Sequence, residues 1–407
     1  ALITTEGGRL TASSTTLSGD KGGIVIINAT YLYMDGNISA DGGDSPGGAV
    51  SGGGGNAGKV ILNITNKFNL TGNVFARGGT GDSDACATPS GERGDGGLIN
   101  ITNADIINGT IDARIGEIGG CRVGEYKNSE IRANKIIVND NLRVAGFINA
   151  SNITIIGTLG PENNGNNLGA DTKNLGANLT IIADEINLSK TGVISGTGLS
   201  IAANFVDFGG AGANINITAN TMYFDGNISL DGGDHQGGAG SGSGGNSGTL
   251  ILTITNSFNI NGNIFARGGT ADTDTCDNVD NGIRGDGGSV IIKNKNALAI
   301  IGSIETNPAT GSCRTGVYKK SEIYAQKING TNVKVAGIIN ASNITITGVY
   351  GPDNHGLNTG TGGNRDEPAN LTIKAEILNL TATGLISGKG KNLGAAESQF
   401  AGAGATI

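Results

Sequence analysis

The chain contains no tryptophan, and its 7 tyrosines and 9 phenylalanines are few for 407 residues. Ordinary globular domains of this length fill wide cores with such side chains, so the composition argues against them. Long apolar runs are missing as well. The longest is Ala297–Ile301, which is far too short to cross a bilayer, so we expect no membrane-spanning segment.

An excess of positive charge is also missing, because 27 lysines and arginines stand against 35 aspartates and glutamates and leave a net charge of −8. Nucleic acid selects basic patches with stacking aromatic residues, so we expect no nucleic-acid partner. The first residues do not form a signal peptide, which is typical of a mature secreted chain and equally of a cytosolic one.

Glycine, by contrast, occurs 74 times and is scattered along the whole chain. This scatter excludes long helices, because glycine is a poor helix former. Glycine does not fall at every third position, which excludes collagen. Isoleucine, valine and leucine recur between the glycines in short alternating runs, which excludes a disordered chain and predicts short β-strands.

The sequence repeats itself once. GNVFARGGT at 72–80 returns 190 residues later as GNIFARGGT at 262–270, and GVISG at 192–196 returns as GLISG at 384–388. Such a repeat decides the architecture. We predict an N-terminal coil over 1–22 that resembles the end of a repeat, a first repeat over 23–212 and a second over 213–407.

Within each copy a pattern of about 20 residues recurs, and each occurrence contains three short apolar pieces. Within 178–198 these pieces are Leu179/Ile181, Ile186/Leu188 and Val193/Ile194, separated by polar residues or glycine. The pattern predicts three short strands joined by tight corners. A strand with two inward side chains needs similar neighbours above and below it, which stacked coils provide.

We therefore predict an all-β fold, a single-stranded right-handed parallel β-helix with six or seven coils per copy, a continuous solenoid. The right-handed sense of the helix follows from the crossover rule for parallel strands. Long Gly/Asp-rich segments recur after the third strand, at 41–58, 78–96, 114–129, 157–177, 231–248, 268–287, 306–320 and 348–368. Insertions at one phase predict long loops on one edge of the solenoid.

The recurring phrase, a strand followed by x-GNI-x-A-x-GG, a Gly-rich loop and GG-x-I-x-I, resembles the parallel β-helix of secreted adhesins and filamentous-haemagglutinin-like surface proteins. The resemblance covers nearly the whole chain and rests on the coil pattern. It implies an extracellular or cell-surface protein with a structural or adhesive role.

Four cysteines occupy equivalent places in the two copies, at Cys86, Cys121, Cys276 and Cys313. They form no CxxC pair, and the chain has only 2 histidines, which disfavours a zinc site. We predict the disulfides Cys86–Cys121 and Cys276–Cys313, which are typical of an oxidising compartment, with four free thiols as the alternative.

Sequons of the form Asn-x-Ser/Thr indicate N-linked glycans on a secreted chain. The alternative is that outward strand faces simply favour asparagine and threonine, because the middle residue of NIT or NLT points inward. The candidate residues are Asn28, Asn37, Asn63, Asn69, Asn100, Asn108, Asn149, Asn152, Asn178, Asn187, Asn216, Asn227, Asn329, Asn340, Asn343, Asn370 and Asn379.

Acidic pairs in the Gly-rich segments raise the question of calcium. The pairs are Asp82/Asp84 and Asp272/Asp274, with the motif DGGD at 41–44 and again at 231–234. Carboxylates two or three residues apart among glycines can wrap a hard cation. We expect a soluble turn and no cofactor, with calcium binding at Asp82, Asp84, Asp272 and Asp274 as the alternative.

RGD at 93–95 and 284–286 is a weak receptor-binding signal, and we expect it to fix a turn. Parallel β-helices also include polysaccharide lyases and hydrolases, which use clustered carboxylates in a groove. The acidic pairs here occur in both copies, and His235 and His355 are not equivalent, so no catalytic set emerges. We expect no enzymatic activity and keep the lyase or hydrolase as an alternative.

The ends of the sequence suggest self-association. FAGAGATI at 400–407 matches FGGAGANI at 208–215, the lead into the second copy, so a further copy is expected to fit there. Unpaired solenoid ends favour stacking. We predict the subunit of an extracellular or cell-surface filament that assembles head to tail with copies of itself. A monomeric adhesin segment that binds a surface or glycan is the alternative.

Overall fold

The computed structural model describes residues 2–4, 19–45, 53–81, 93–116, 124–162, 176–202, 209–236, 244–270, 285–309, 316–352 and 369–389. Every regular element in these ranges is a β-strand. The chain divides into two compact units. Unit 1 comprises Ala1–Lys173, Ala177–Asn187 and Gly192–Ser195, and unit 2 comprises Asn174–Gly176, Leu188–Thr191 and Gly196–Ile407.

Unit 1 carries long strands that alternate with short ones. They are β1 Leu2–Thr4, β2 Ile24–Met34, β3 Asn37–Ser39, β4 Lys59–Leu70, β5 Asn73–Phe75, β6 Leu98–Ile107, β7 Ile111–Asp112, β8 Asn128–Val138, β9 Asn141–Arg143, β10 Ala145–Ile155, β11 Thr158–Leu159, β12 Asn178–Leu188 and β13 Val193–Ser195.

The strands of unit 2 are β14 Ile201–Ala202, β15 Asn214–Phe224, β16 Asn227–Ser229, β17 His235–Gln236, β18 Thr249–Ile254, β19 Phe258–Ile260, β20 Asn263–Phe265, β21 Ser289–Asn294, β22 Ala297–Glu305, β23 Lys320–Tyr324, β24 Lys327–Lys334, β25 Ala336–Asn340, β26 Asn343–Ile346, β27 Val349–Tyr350, β28 Leu371–Lys374, β29 Ile377–Leu380 and β30 Leu385–Ile386. Apart from β15, the strands of unit 2 are shorter than the long strands of unit 1.

Corresponding strands of successive coils pair in parallel and in register. In unit 1 the third strands of the coils form one column of buried residues, Ile38, Val74, Ile111, Leu142, Leu159 and Ile194. Unit 2 repeats this column with Ile228, Ile264, Ile304, Val333 and Tyr350. Seventeen parallel strands wind 326° round an axis. The predicted parallel β-helix is confirmed.

The strands differ in detail from the three short pieces expected in each coil. In unit 1 the first two pieces join into one strand, as in β12, which contains both Leu179/Ile181 and Ile186/Leu188. The register shifts between Ala29 and Tyr31, where β4 has one residue more than β2, and the ladder between the two strands continues beyond this bulge. The expected division is present in unit 2, where β18 and β19 are separate.

Two of the predicted loops begin later than expected. The segments 157–177 and 348–368 start with strands β11 and β27. Two coils turn without any loop, because Val144 alone connects β9 to β10 and Val335 alone connects β24 to β25. Both valines are buried. The prediction of a long loop after each third strand is therefore incomplete, since a single inward residue can also connect the third strand of one coil to the first strand of the next.

Candidate functional site

The bases of the Gly-rich segments form a second hydrogen-bonded ladder beside the strands. In unit 1, backbone N–H groups donate to backbone carbonyls at 2.8–3.1 Å along the series Gly43, Gly55, Gly79, Gly94 and Gly116. In unit 2 the same ladder runs at 2.8–3.0 Å through Gly210, Gly233, Gly245, Gly269 and Gly285. We call each of these rows a glycine spine.

The spine leaves no room for side chains. A Cβ on Gly79 would lie 2.0 Å from the carbonyl oxygen of Gly43, and one on Gly269 would lie 2.0 Å from that of Gly233. Because both neighbours are backbone atoms, they cannot move aside as a flexible side chain does. The Gly-rich segments that the sequence predicts as loops are therefore packed backbone where they leave and rejoin the coil.

A carboxylate clamp joins the DGGD motif of one coil to the FARGGT motif of the next. In unit 1 the Asp41 carboxylate accepts hydrogen bonds from the Arg77 backbone N–H at 2.6 Å, from Nε at 3.1 Å and from Nη2 at 2.6 Å. The Arg77 guanidinium also lies 4.5 Å from the centre of the Phe75 ring. The carboxylate thus holds the backbone of the next coil through Oδ1 and the guanidinium of the next coil through Oδ2.

Unit 2 has the same clamp. Asp231 accepts from the Arg267 backbone N–H at 2.7 Å, from Nε at 3.2 Å and from Nη2 at 2.6 Å. The second carboxylate of the motif, Asp234, accepts from the backbone N–H of Thr270 at 2.7 Å. The DGGD carboxylates therefore bind protein groups of the adjacent coil, which accounts for these acidic motifs without a metal ion.

Asp41→Ala is expected to lower the free energy of unfolding by about 2 kcal/mol. The change removes charge-assisted hydrogen bonds, and the effect is limited because the Arg77 side chain is partly exposed and screened by water. Chemical unfolding measures the loss. Asp41→Asn keeps an acceptor for the Arg77 backbone N–H and should lose less than half as much. Equal losses in the two variants would contradict this assignment.

The aspartates of the RGD motifs also bind protein groups of the adjacent coil. Asp95 accepts from the backbone N–H of Glu125 at 2.9 Å, and its other oxygen lies 3.0 Å from Nζ of Lys127. Its counterpart Asp286 accepts from the backbone N–H of Val317 at 3.0 Å. Both carboxylates hold the start of the next coil, an arrangement that fixes a turn.

A mixed cluster of charged residues lies in unit 1 around Asp112. Asp112 is buried, lies 3.1 Å from Nε of Arg114, and is the register partner of Arg143. Arg143 in turn lies 2.9 Å from the carboxylate of Glu162. Burial raises the pKa of Asp112, and the positive charge of Arg114 acts in the opposite direction. Every charged member of this cluster lies beside an opposite charge. We therefore interpret the cluster as ion pairs that support the fold.

Several of the predicted site residues lie outside the described part of the chain. These are the cysteines of both predicted disulfides, Cys86, Cys121, Cys276 and Cys313, and the aspartates of the calcium hypothesis, Asp82, Asp84, Asp272 and Asp274. Both hypotheses stay predictions. Within the described ranges, no group of three or more His, Cys, Asp or Glu side chains is arranged to hold a metal ion.

All of the predicted glycosylation residues fall in the described ranges, and none of them is buried. Several form ladders between coils. The Asn63 amide donates to Oδ1 of Asn28 at 2.9 Å, and the Asn263 amide donates to Oδ1 of Asn227 at 3.0 Å. These asparagines lie on the outward face, so glycans and outward amide ladders are both compatible with the strand geometry.

The last described coil has an open edge. In the described ranges β28, β29 and β30 each pair with one strand only, namely β25, β26 and β27. Leu378 and Leu380 of β29 lie in register with the buried Ile344 and Ile346, so they occupy inward positions. They are nevertheless 47% and 50% exposed. An unpaired strand edge with exposed inward leucines is a surface suited to receiving another strand.

The parallel, in-register strands define a parallel β-helix fold. No protein-family model matches the chain, and searches of curated proteins and of solved structures found no match either. The described ranges contain no helix long and apolar enough to cross a membrane.

Proposed function

We propose that the chain is the structural, non-catalytic subunit of an extracellular filament in which copies join head to tail through their strand edges. The open edge of β28, β29 and β30 carries the proposal. One copy presents this edge, and the next copy presents β2.

The internal repeat supplies the comparison that supports this contact. Leu378 and Leu380 correspond in sequence to Ile186 and Leu188, which are 0% exposed. The same inward positions are thus fully covered in the first repeat and half uncovered in the second. Covering two half-exposed leucines contributes about 1 kcal/mol each. Pairing the strand edge adds backbone hydrogen bonds to that gain.

The opposite edge has the matching property. In the described ranges β2 pairs with β4 alone. Its inward residues Ile27 and Leu32 are half-buried, whereas their counterparts in the second repeat, Ile217 and Met222, are buried. Both edges are parallel strands with inward aliphatic residues, so each provides the surface that the other lacks.

Two different edges give a contact that propagates. An isologous dimer uses one surface twice and closes, whereas a head-to-tail contact leaves a free edge at each end. Such contacts build an open filament whenever the rotation between copies does not close a ring. The outward sequon asparagines lie away from the inward leucines, so N-linked glycans are compatible with this assembly.

Assembly is tested on the purified chain of residues 1–407 by light scattering and negative-stain microscopy over a concentration series. We expect scattering to rise above a threshold concentration and the images to contain unbranched filaments. A chain that stays monomeric at the highest soluble concentration, or that stops at dimers, would refute the proposal.

A monomeric adhesive segment is the second candidate. Tyr31 and Tyr33 are 57% and 65% exposed on the outward face of β2, and Nζ of Lys67 lies 6.0 Å from the Tyr33 ring. Exposed tyrosines offer flat surfaces for a sugar ring or a partner protein. This role would be supported if the unaltered chain stays monomeric and binds cell surfaces or immobilised glycans, while a Tyr31→Ala/Tyr33→Ala variant folds normally but no longer binds them.

A further inference from the structure

We propose that β1 is a temporary occupant of the strand edge of β3, and that β30 of a second copy replaces it when two copies join. This inference rests on the proposed head-to-tail assembly and gives it a mechanism. The contact is then an exchange of one short strand for another at the same place.

Each edge of β3 is already used. One edge pairs with β5, with Ile38 opposite Val74. The other edge pairs with β1, with Leu2 opposite Asn37, Ile3 opposite Ile38 and Thr4 opposite Ser39. A strand has two edges, so a further strand reaches β3 only if β1 leaves it.

Strand β30 is the counterpart of β1 in the repeat. Residues 2–4 read LIT and residues 385–387 read LIS. β30 pairs with β27 along one edge, with Leu385 opposite Val349 and Ile386 opposite Tyr350. If β28 and β29 of one copy extend β2 of the next, the order of strands within a coil brings β30 to β3. It therefore arrives at an edge that β1 covers.

The two competing strands are held differently. Residues around β30 continue directly from β29, and they donate three hydrogen bonds of 2.8 Å to the preceding coil: Thr383 Oγ1 to the Thr347 carbonyl, the Leu385 N–H to Gly348 and the Ser387 N–H to Tyr350. β1 has a register of three residues with β3, and Ile3 is 46% exposed although it lies opposite the buried Ile38. We therefore assign β1 as the strand that leaves.

This assignment changes the role of residues 1–22. The sequence suggests that they form part of the contact between copies. The pairing of β1 with β3 makes residues 2–4 a cover that protects an edge of the free subunit, so removal of β1 should promote assembly. Native proteins commonly protect exposed edges in this way, because a free edge invites pairing with the wrong partner.

Two variants test the exchange beside the full chain of residues 1–407. The first lacks residues 1–18, so that Gly19, Asp20 and Gly22 keep their backbone hydrogen bonds to Gly53, Gly43 and Asn56. The second, Leu2→Cys/Asn37→Cys, ties β1 to β3 through a disulfide between register partners, since neighbouring strands lie within disulfide reach. The single variant Leu2→Cys is the matched control, and circular dichroism checks that each protein is folded. All proteins are carried through the same oxidation and reduction.

If β1 covers the edge about nine-tenths of the time, the shortened chain should assemble at about a tenfold lower concentration than the full chain. The oxidised double-cysteine variant should stay unassembled and recover on reduction, while Leu2→Cys behaves like the full chain. If the oxidised tether assembles as readily as the full chain, or the shortened chain assembles less readily, the exchange is wrong and the head-to-tail filament stands. If no protein assembles, the shortened chain included, the filament itself is refuted.

Discussion

A Gly269→Val substitution is expected to unfold the coils of unit 2 around β20, with a loss of stability on the order of 5 kcal/mol or more. The Cβ alone would lie 2.0 Å from the carbonyl oxygen of Gly233, 2.6 Å from its carbon and 2.9 Å from the nitrogen of Gly245. These atoms belong to two other Gly-rich segments of the glycine spine, so relief of the clash requires two backbone segments to separate. The hydrogen bonds that these glycines make within the spine would then break together.

Denaturant unfolding, followed by circular dichroism, measures this loss. Gly79→Val is the matched change in unit 1, where the Cβ would also lie 2.0 Å from a carbonyl oxygen, and it should be about as damaging. Asn259→Val is the control, because Asn259 is exposed on β19 and valine suits a strand. An unfolding midpoint of Gly269→Val close to that of Asn259→Val would show that the spine is not packed as described.

Leu380→Glu is expected to raise the threshold concentration for filament assembly about a hundredfold, with little effect on the folded subunit. Head-to-tail pairing would bury the new carboxylate without a partner, at a cost of several kcal/mol, and each 1.4 kcal/mol is tenfold in an equilibrium constant. The free subunit tolerates the change because Leu380 is already 50% exposed. Sedimentation at increasing protein concentration gives the threshold.

Asn379→Glu is the matched control for this experiment. Asn379 is the neighbouring residue of the same strand, faces outward and is exposed, so its carboxylate stays in water in the filament. Both variants are produced in a host without N-glycosylation, because Asn379 belongs to a sequon. If both variants assemble at the same threshold as the unaltered chain, the edge of β29 does not take part in the contact.

The coil pattern was predictable because alternation and burial follow the same period of two. Leu179 and Ile181 alternate with polar residues in the sequence, and both are buried in β12. The corners were less predictable. The sequence has a polar pair between Ile181 and Ile186, and the strand continues through it, since a bend that keeps its hydrogen bonds leaves no composition signal.

The carboxylate clamp could have been predicted from the sequence, but it was not. Asp41 precedes Arg77 by the same 36 residues that separate Asp231 from Arg267. A constant separation in both copies indicates that the two residues meet one coil apart. The acidic motif instead indicated a soluble turn, with calcium binding as the alternative, because glycine-rich acidic segments are a common setting for calcium. The role of β1 was not predictable, since three residues carry no periodicity of their own.

The glycine spine separates the part of the molecule that must stay constant from the part that is free to diverge. Its described residues are held in the column by contacts between backbone atoms alone. The two copies already differ between these bases: after the shared cysteine the first copy reads ATPSGE at 87–92 and the second reads DNVDNGI at 277–283. Substitution, insertion and deletion at such positions leave a scaffold intact. Gene duplication followed by divergence of these segments alone would place many different surfaces on one β-helix scaffold.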